Sequence, residues 1–356
     1  MQKLLEKLIS FESDQYHSIK IKKCFDYVVD DLRKAGLKLK TYSSNGKPSL
    51  IAGRKLKKHY RYILNGHLDV VPADYKNAFK PVVKNSRLYG RGAADMKGPD
   101  AVLIELMKDA DLKNADVGLM LNSDEEIGGY NGADYLLNKK GYSCDCVVVP
   151  DGGDNFRLVL AEKGVIQMKI TARGKAAHGS RPWLGENAIE KLLNIFREIK
   201  KEVPNTYPEN RWLPTVNLGL IKGGDVINKV PDRAQMYLDF RYPRPFQKQK
   251  ILNLLKETCR NDKSVRYAVV SEGAVMVTPK NDKYIKKIIK TAKKQKIKLK
   301  TTKEHGASDG RFFSAKGIPV IMFKPVCSQP HIDNEWIDLK SLDKFYRILK
   351  DFLLDG

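Results

Sequence analysis

Two histidines and four acidic residues of this sequence have the types and settings needed to hold divalent cations and activate water. They are His67 in Gly66-His67-Leu68-Asp69, Asp95 in Gly92-Ala93-Ala94-Asp95-Met96-Lys97-Gly98, the pair Glu125-Glu126, Asp151 in Pro150-Asp151-Gly152-Gly153, and His331 in Pro330-His331-Ile332-Asp333-Asn334-Glu335. Imidazole and carboxylate are the ligands that a borderline cation such as zinc takes. Asp69 follows His67 by two residues, so in extended chain the two side chains point the same way and the carboxylate can steady the imidazole. Asp95 lies among small residues after Gly90-Arg91-Gly92, where backbone can pass close to an ion. Adjacent glutamates at a strand end diverge, so one of Glu125 and Glu126 can bind metal while the other takes a proton from water. Each residue alone has an ordinary explanation, such as a turn aspartate beside glycine or a solvated acidic run. The signal is the set.

Elements must bring these residues together. Apolar spacing predicts helices over 4–10 and 19–35, the second stopped by Gly36. A short apolar strand over 62–66 runs into His67, and a helix follows over 100–110. Strands are predicted over 118–122 and 146–150, with a helix starting over 132–137 between them. Strands separated by helices imply a mixed, mostly parallel sheet flanked by helices, an α/β fold. Functional groups in such sheets gather at the carboxyl ends of the strands. His67, Glu125-Glu126 and Asp151 each closely follow an apolar strand. After Gly164 the pattern changes to strand 165–172, helix 186–202, strands 216–221 and 235–242, helix 247–259 and strand 265–270. That β-α-β-β-α-β order is ferredoxin-like. The first pattern resumes with a basic helix over 284–300, a strand over 319–323 and a closing helix over 341–354. The expected division is therefore 1–163 and 275–356 for one domain, with 164–274 inserted into it.

Composition narrows the partners. A chain of 356 residues is long for one core. No apolar run reaches the length of a membrane span. The first residues, Met1-Gln2-Lys3-Leu4-Leu5-Glu6-Lys7, carry charges where a signal peptide would be apolar, so a cytoplasmic location is expected. Five scattered cysteines, without a second pair to complete a metal site, are expected to be reduced, buried thiols. The net charge of +23 could attract polyanions or acidic small substrates. The lysines are dispersed, however, and the run from Lys286 to Lys300 fits the solvated face of an amphipathic helix. No nucleic-acid motif accompanies it, so neither nucleic acid nor membrane is expected as a partner.

These segments together resemble the co-catalytic zinc peptidases and deacylases. That family includes succinyl-diaminopimelate desuccinylase, acetylornithine deacetylase, aminoacylase, carboxypeptidase G and the cytosolic dipeptidases. The resemblance spans essentially the whole chain. It is carried by the segments from Gly66 to Pro72 and from Tyr89 to Gly98, Asp124-Glu125-Glu126, Ala177-His178-Gly179-Ser180-Arg181-Pro182, Asn228-Lys229-Val230-Pro231-Asp232, Asp239-Phe240-Arg241, Ser308-Asp309-Gly310-Arg311-Phe312, and His331 to Glu335. It implies a zinc-peptidase catalytic domain, with the inserted unit as a lid or dimerisation domain and a homodimer as the assembly. It also implies two Zn2+ per chain, with Co2+ or Mn2+ as alternatives. One ion would sit on His67, Asp95 and Asp151, the other on Asp95, Glu126 and His331. Asp95 would bridge them and form a cis peptide with Met96. Asp69 would orient His67, Glu125 would serve as general base and acid, and His178 would stabilise an oxyanion. Arg241 and Asn228 would hold a substrate carboxylate, with Ser308 and Gly306 also in the substrate site.

The substrate implied is small and carries a carboxylate, either an N-acyl amino acid or a short peptide. Aspartate at 151, which is glutamate in many deacylases and carboxypeptidases of the family, leans toward its aminopeptidases and dipeptidases, whereas Ser308 to Phe312 resembles the desuccinylases. The Phe-Gly-Pro common before the last histidine is Phe323-Lys324-Pro325 here. Lys324 is expected at the pocket rim, facing water or an acidic substrate group. His305 is expected in a solvated loop or near the pocket. A different class of function, a polyanion-binding protein with a lapsed site, would be expected to have lost ligands, and none is missing.

Overall fold

The computed structural model describes residues 1–203, 212–260 and 262–354. Contacts divide the chain into two units. The first comprises Met1–Ala161, Met276–Glu304 and Ser308–Gly356, and the second Glu162–Val275 with His305–Ala307.

The first unit is built on a six-stranded sheet. Its order is Lys38–Ser44, Lys47–Gly53, Val117–Asn122, His59–His67, Ser143–Val148, Val320–Ile321. The last four strands run parallel, and the first two form an antiparallel hairpin on the edge. The hairpin was not among the expected elements. It turns at Asn45-Gly46, with φ of +45° and +74°, the positive pair that a two-residue hairpin turn requires and that Asn-Gly supplies. The central strands are buried on both sides, as in Val117–Asn122, where no residue is exposed. That is why they read as apolar runs rather than alternation. The helix Lys97–Lys108 is buried along nearly its whole length, while Gln2–Ile9, Ser18–Lys34 and Leu339–Leu354 each bury a single stripe. All five cysteines are free and buried.

Two expected helices differ. The segment after Asn131 contains a π-helical stretch over Tyr135–Lys139. The basic helix spans Lys283–Lys294 and stops at Gln295. Lys296 takes φ +60°, and the chain then enters a strand over Lys300–Glu304. Tyr284, Ile285, Ile288 and Ala292 are buried, leaving the lysines on the outer face.

The second unit is a four-stranded antiparallel sheet, ordered Thr215–Gly223, Arg233–Tyr242, Gly164–Arg173, Val265–Gly273. This is the ferredoxin-like order. Helices Ala188–Glu202 and Pro245–Arg260 contribute Leu192, Ile195, Ile199, Ile251 and Leu255 to its core against Met168, Ile170, Leu238 and Phe240. The first helix begins two residues later than expected because Asn187 caps it, accepting the N–H of Ile189 at 3.0 Å and of Glu190 at 3.3 Å. Such a cap is worth about 1 kcal/mol. No helix among the described residues is long and apolar enough to cross a membrane.

Candidate metal centre

The parallel register fixes where the site forms. His67 is the last residue of its strand and lies opposite Asn122, the last of the neighbouring strand. Glu125 and Glu126 follow three and four residues later on a short 3-10 turn. Asp151 follows the Ser143–Val148 strand at the same edge. Asp95 lies two residues before the first residue of the helix Lys97–Lys108, and the Asp95–Met96 peptide is cis. His331 comes from the loop before Trp336–Asp338 with φ +65°.

Two groups of donors result. The ligand atoms of His67, Glu125 and Asp151 lie within 4.8 Å of one another, as do those of Asp95, Glu126 and His331. Asp95 joins the groups. Its Oδ1 is 3.5 Å from His67 Nε2, and its Oδ2 is 3.3 Å from His331 Nε2. His331 Nε2 is also 3.3 Å from Glu126 Oε1, and His67 Nε2 is 3.8 Å from Asp151 Oδ1.

His67 Nδ1 is 3.0 Å from the backbone carbonyl of Asp69, while the Asp69 carboxylate stands at 3.5 Å. A carbonyl can only accept, so Nδ1 carries the proton and Nε2 offers its lone pair toward Asp95 and Asp151. The other Asp69 oxygen accepts the N–H of Glu126 at 3.1 Å.

Electrostatics show how charged this enclosure is. Burial pushes the carboxyls of Asp151 and Glu125 well above the usual range, reinforced by Asp95 for the first and Asp151 for the second. Burial alone would raise Asp95 as well, but Lys324, His331 and His67 outweigh it and hold the carboxyl low. Hydrogen bonds to Asp95 and Glu126 lift His331 to about 10. Burial would depress His67, yet Asp151, Asp69 and Asp95 raise it. Raised carboxyls and raised imidazoles packed together mark an enclosure whose acidic groups lack a compensating cation. Divalent ions fit this donor set on a second observation. His67 Nε2, Asp95 Oδ1 and Glu126 Oε1 are buried with no hydrogen-bond partner among the described residues, and all three belong to these groups. Buried polar atoms are ordinarily satisfied.

Lys324 departs from expectation. It is 1% exposed rather than at a rim facing water. Its Nζ is 3.5 Å from Asp154 Oδ1, its N–H donates to Gly153 O at 3.1 Å, and its carbonyl accepts from Phe156 at 2.8 Å. The buried Val320–Ile321 strand carries it beneath the Asp151 loop. Burial acts to lower its pKa, but Asp95, Asp151 and Asp154 raise it further, so it stands as a fixed cation behind the donors.

The remaining residues are placed as follows. Ser308 is buried in the first unit, where its hydroxyl accepts the N–H of Gly310 at 3.2 Å and helps start a short helix. His178, Asn228, Arg241 and Gly306 belong to the second unit. His178 is exposed, and its Nδ1 accepts the N–H of Ser180 at 3.2 Å, which leaves Nε2–H free to donate. The Asn228 carbonyl accepts the N–H of Gly179 at 2.7 Å, next to that histidine. Arg241 is held by Asp239, from Nε at 2.7 Å and Nη2 at 3.0 Å. His305 is exposed and packs edge-on to Trp212, centroids 5.4 Å apart.

The chain as a whole is similar to known proteins. The model of the family described as Peptidase family M20/M25/M40 matches residues 63–355. A succinyl-diaminopimelate desuccinylase of Buchnera aphidicola is 29% identical over 384 residues, covering 98% of each chain. A [LysW]-lysine/[LysW]-ornithine hydrolase of Sulfurisphaera tokodaii is 27% identical, covering 82% of this chain and 79% of that protein. The fold is similar to that of an M20 family metallo-carboxypeptidase of Sulfolobus solfataricus, with a TM-score of 0.83, 22% identity, and coverage of 99% and 98%.

Proposed function

Because this chain belongs to peptidase family M20/M25/M40 and is thereby a metal-dependent hydrolase, we propose that it uses two zinc ions to cleave an amide bond. The substrate is a small carboxylate-bearing molecule, an N-acyl amino acid or a short peptide. The observation that carries this reading is the disposition of Asp95, whose two oxygens face two different imidazoles at 3.5 and 3.3 Å. One carboxylate so placed suits a bridge between two ions. His67 and Asp151 would complete one ligand set, Glu126 and His331 the other. Co2+ or Mn2+ would satisfy the same donors.

Bound divalent ions supply Lewis-acid chemistry, easing deprotonation of water and polarising a carbonyl. The protein supplies the rest. Glu125 shares its donor group with His67 and Asp151, and burial has raised its proton affinity toward the range a general base needs. It takes a proton from water and delivers it to the leaving amine. Asp69 fixes the His67 tautomer through its carbonyl and the Glu126 backbone through its carboxylate. His178, with Nε2–H free, is the candidate donor to the developing oxyanion. Arg241, pre-oriented by Asp239, is the candidate for the substrate carboxylate, and Asn228, Gly306 and Ser308 are further candidates for substrate binding. A cytoplasmic homodimer is the setting proposed for this chemistry.

The test is hydrolysis by zinc-reconstituted protein of a panel of dipeptides and N-acetyl and N-succinyl amino acids, with a chelated control. Chelator-sensitive cleavage of one class selects peptidase or deacylase. No cleavage of any member, with metal bound, would count against the substrate class.

A further inference from the structure

Glu335 is fully buried and accepts four hydrogen bonds on one carboxylate. Oε1 takes the N–H groups of Ala94 at 2.6 Å and Asp95 at 2.8 Å. Oε2 takes the N–H of Gly92 at 3.1 Å and Arg91 Nη1 at 2.9 Å. The same Arg91 nitrogen donates to the carbonyl of Ile332, next to His331, at 3.2 Å. Main chain ties the two segments as well. Gly90 N–H donates to Glu335 O at 2.8 Å, and the strand Trp336–Asp338 pairs with Arg87–Tyr89. Gly92, at φ +85°, turns the backbone so that successive amides converge on the carboxylate. Both partners are out of solvent, Glu335 at 0% and Arg91 at 3% exposure. Charge-assisted bonds of this kind are strong there.

We propose that Glu335 and Arg91 are positioning residues that staple the His331 loop to the Asp95 loop and preset the Asp95–Glu126–His331 donor group. The proposal rests on the two-ion reading above. Neither residue is itself a donor in that group. They act because Asp95 and His331 come from loops more than 230 residues apart in sequence, and nothing in either loop alone sets the 3.3 Å between Oδ2 and Nε2. His67 and Asp151 are positioned differently, by the ends of paired strands. The staple therefore reaches two donors of the His331 set, Asp95 and His331, but only the shared Asp95 of the His67 set, so it acts more strongly on the first.

Glu335→Gln tests this at constant shape. The amide oxygen can still accept from Ala94 and Asp95, but the new NH2 faces Arg91 and Gly92 as a donor. Metal-free wild type, Glu335→Gln and His331→Ala are titrated with Co2+, followed by visible absorption and calorimetry. The binding step that His331→Ala abolishes should weaken about 10–100-fold in Glu335→Gln, the usual cost of losing such a supporting contact. The other step should move less than about threefold, and Arg91→Lys, which keeps a cation but not the planar fork that spans Glu335 and Ile332, should weaken the first step by less than Glu335→Gln does. Equal weakening of both steps, or none of either, overturns the proposal, since a merely structural role would lower the melting temperature and loosen both alike. If Glu335→Gln does not fold, Arg91→Met gives the same readout, because it releases Ile332 while leaving Glu335 on its three amides. A wild type that takes up a single ion would refute the two-ion reading. The staple would then still be judged by whether Glu335→Gln weakens uptake wherever His331→Ala does.

Discussion

Gly66→Ala should damage both stability and catalysis through one contact. A Cβ at this position would lie 1.9 Å from Asp100 Oδ1, 3.1 Å from its Cγ and 3.3 Å from Leu121 Cδ2. Non-bonded heavy atoms settle at about 3.5–4.0 Å, so Asp100 must retreat by more than an ångström. Rotating the carboxyl moves Oδ1 but leaves Cγ too close. Asp100 is fully buried on the helix Lys97–Lys108, and among the described residues neither of its oxygens has a hydrogen-bond partner. Overpacking of this kind costs about 1–3 kcal/mol. At roughly 2–4 °C per kcal/mol for a unit of this size, the melting temperature should fall by about 2–12 °C. His67 is the next residue, and displacement of a catalytic group by ~1 Å can cost about 10²-fold in rate, so kcat/KM should fall as well. The cause is specific, which makes it testable. Asp100→Ala removes the atoms in the way, and the double variant should recover about 1–3 kcal/mol relative to the sum of the single changes. Thermal melts and kcat/KM of the four proteins give this cycle. A Gly66→Ala protein melting with wild type, or strict additivity in the cycle, would refute the packing account.

Glu125→Gln should lower kcat by about 10²–10⁴, or about 3–5 kcal/mol, with metal content by elemental analysis unchanged; wild-type turnover would remove Glu125 as the base. Lys324→Met should tighten Co2+ binding at least tenfold in a chelator competition, because a buried cation beside Asp95 and Asp151 is removed; unchanged affinity would show that the ammonium is screened from the donors. For acid stability, burial would raise Asp109, but hydrogen bonds from Lys350 and Tyr346 outweigh it and hold its carboxyl below the ordinary range. A lowered carboxylate adds stability above its unfolded value of about 3.9, lost as pH falls through the folded value. Asp109→Asn should therefore flatten the loss of stability below about pH 4 while lowering stability at neutral pH, and a wild-type acid limb in urea unfolding would contradict this.

Much of the architecture was legible in the chain. Apolar runs reaching His67, Asn122 and Pro150 marked three of the parallel strands, and alternation after Gly164 marked the second sheet. The edge hairpin was also legible in principle, since Asn45-Gly46 is a strong turn signal, but its strands alternate weakly: Lys38–Ser44 has no fully buried residue. The basic helix was overextended because lysines continue past Gln295, and lysine is as acceptable in the following strand's exposed positions as on a helix face.

What the sequence determined by itself is the inventory of donors and their attachment to strand ends. Residue type sets ligand chemistry, and hydrophobic period sets which local element each donor terminates. Only the tertiary structure decided the distances between them. Asp95 meets two imidazoles because one comes from a strand end and the other from a loop near the far end of the chain. Lys324, whose charge pointed to the surface, lies behind the donors because the strand before it is interior. Glu335 gathers amides from a loop about 240 residues away. Side-chain period is a local property of backbone geometry, whereas contact between remote loops depends on how every intervening element packs.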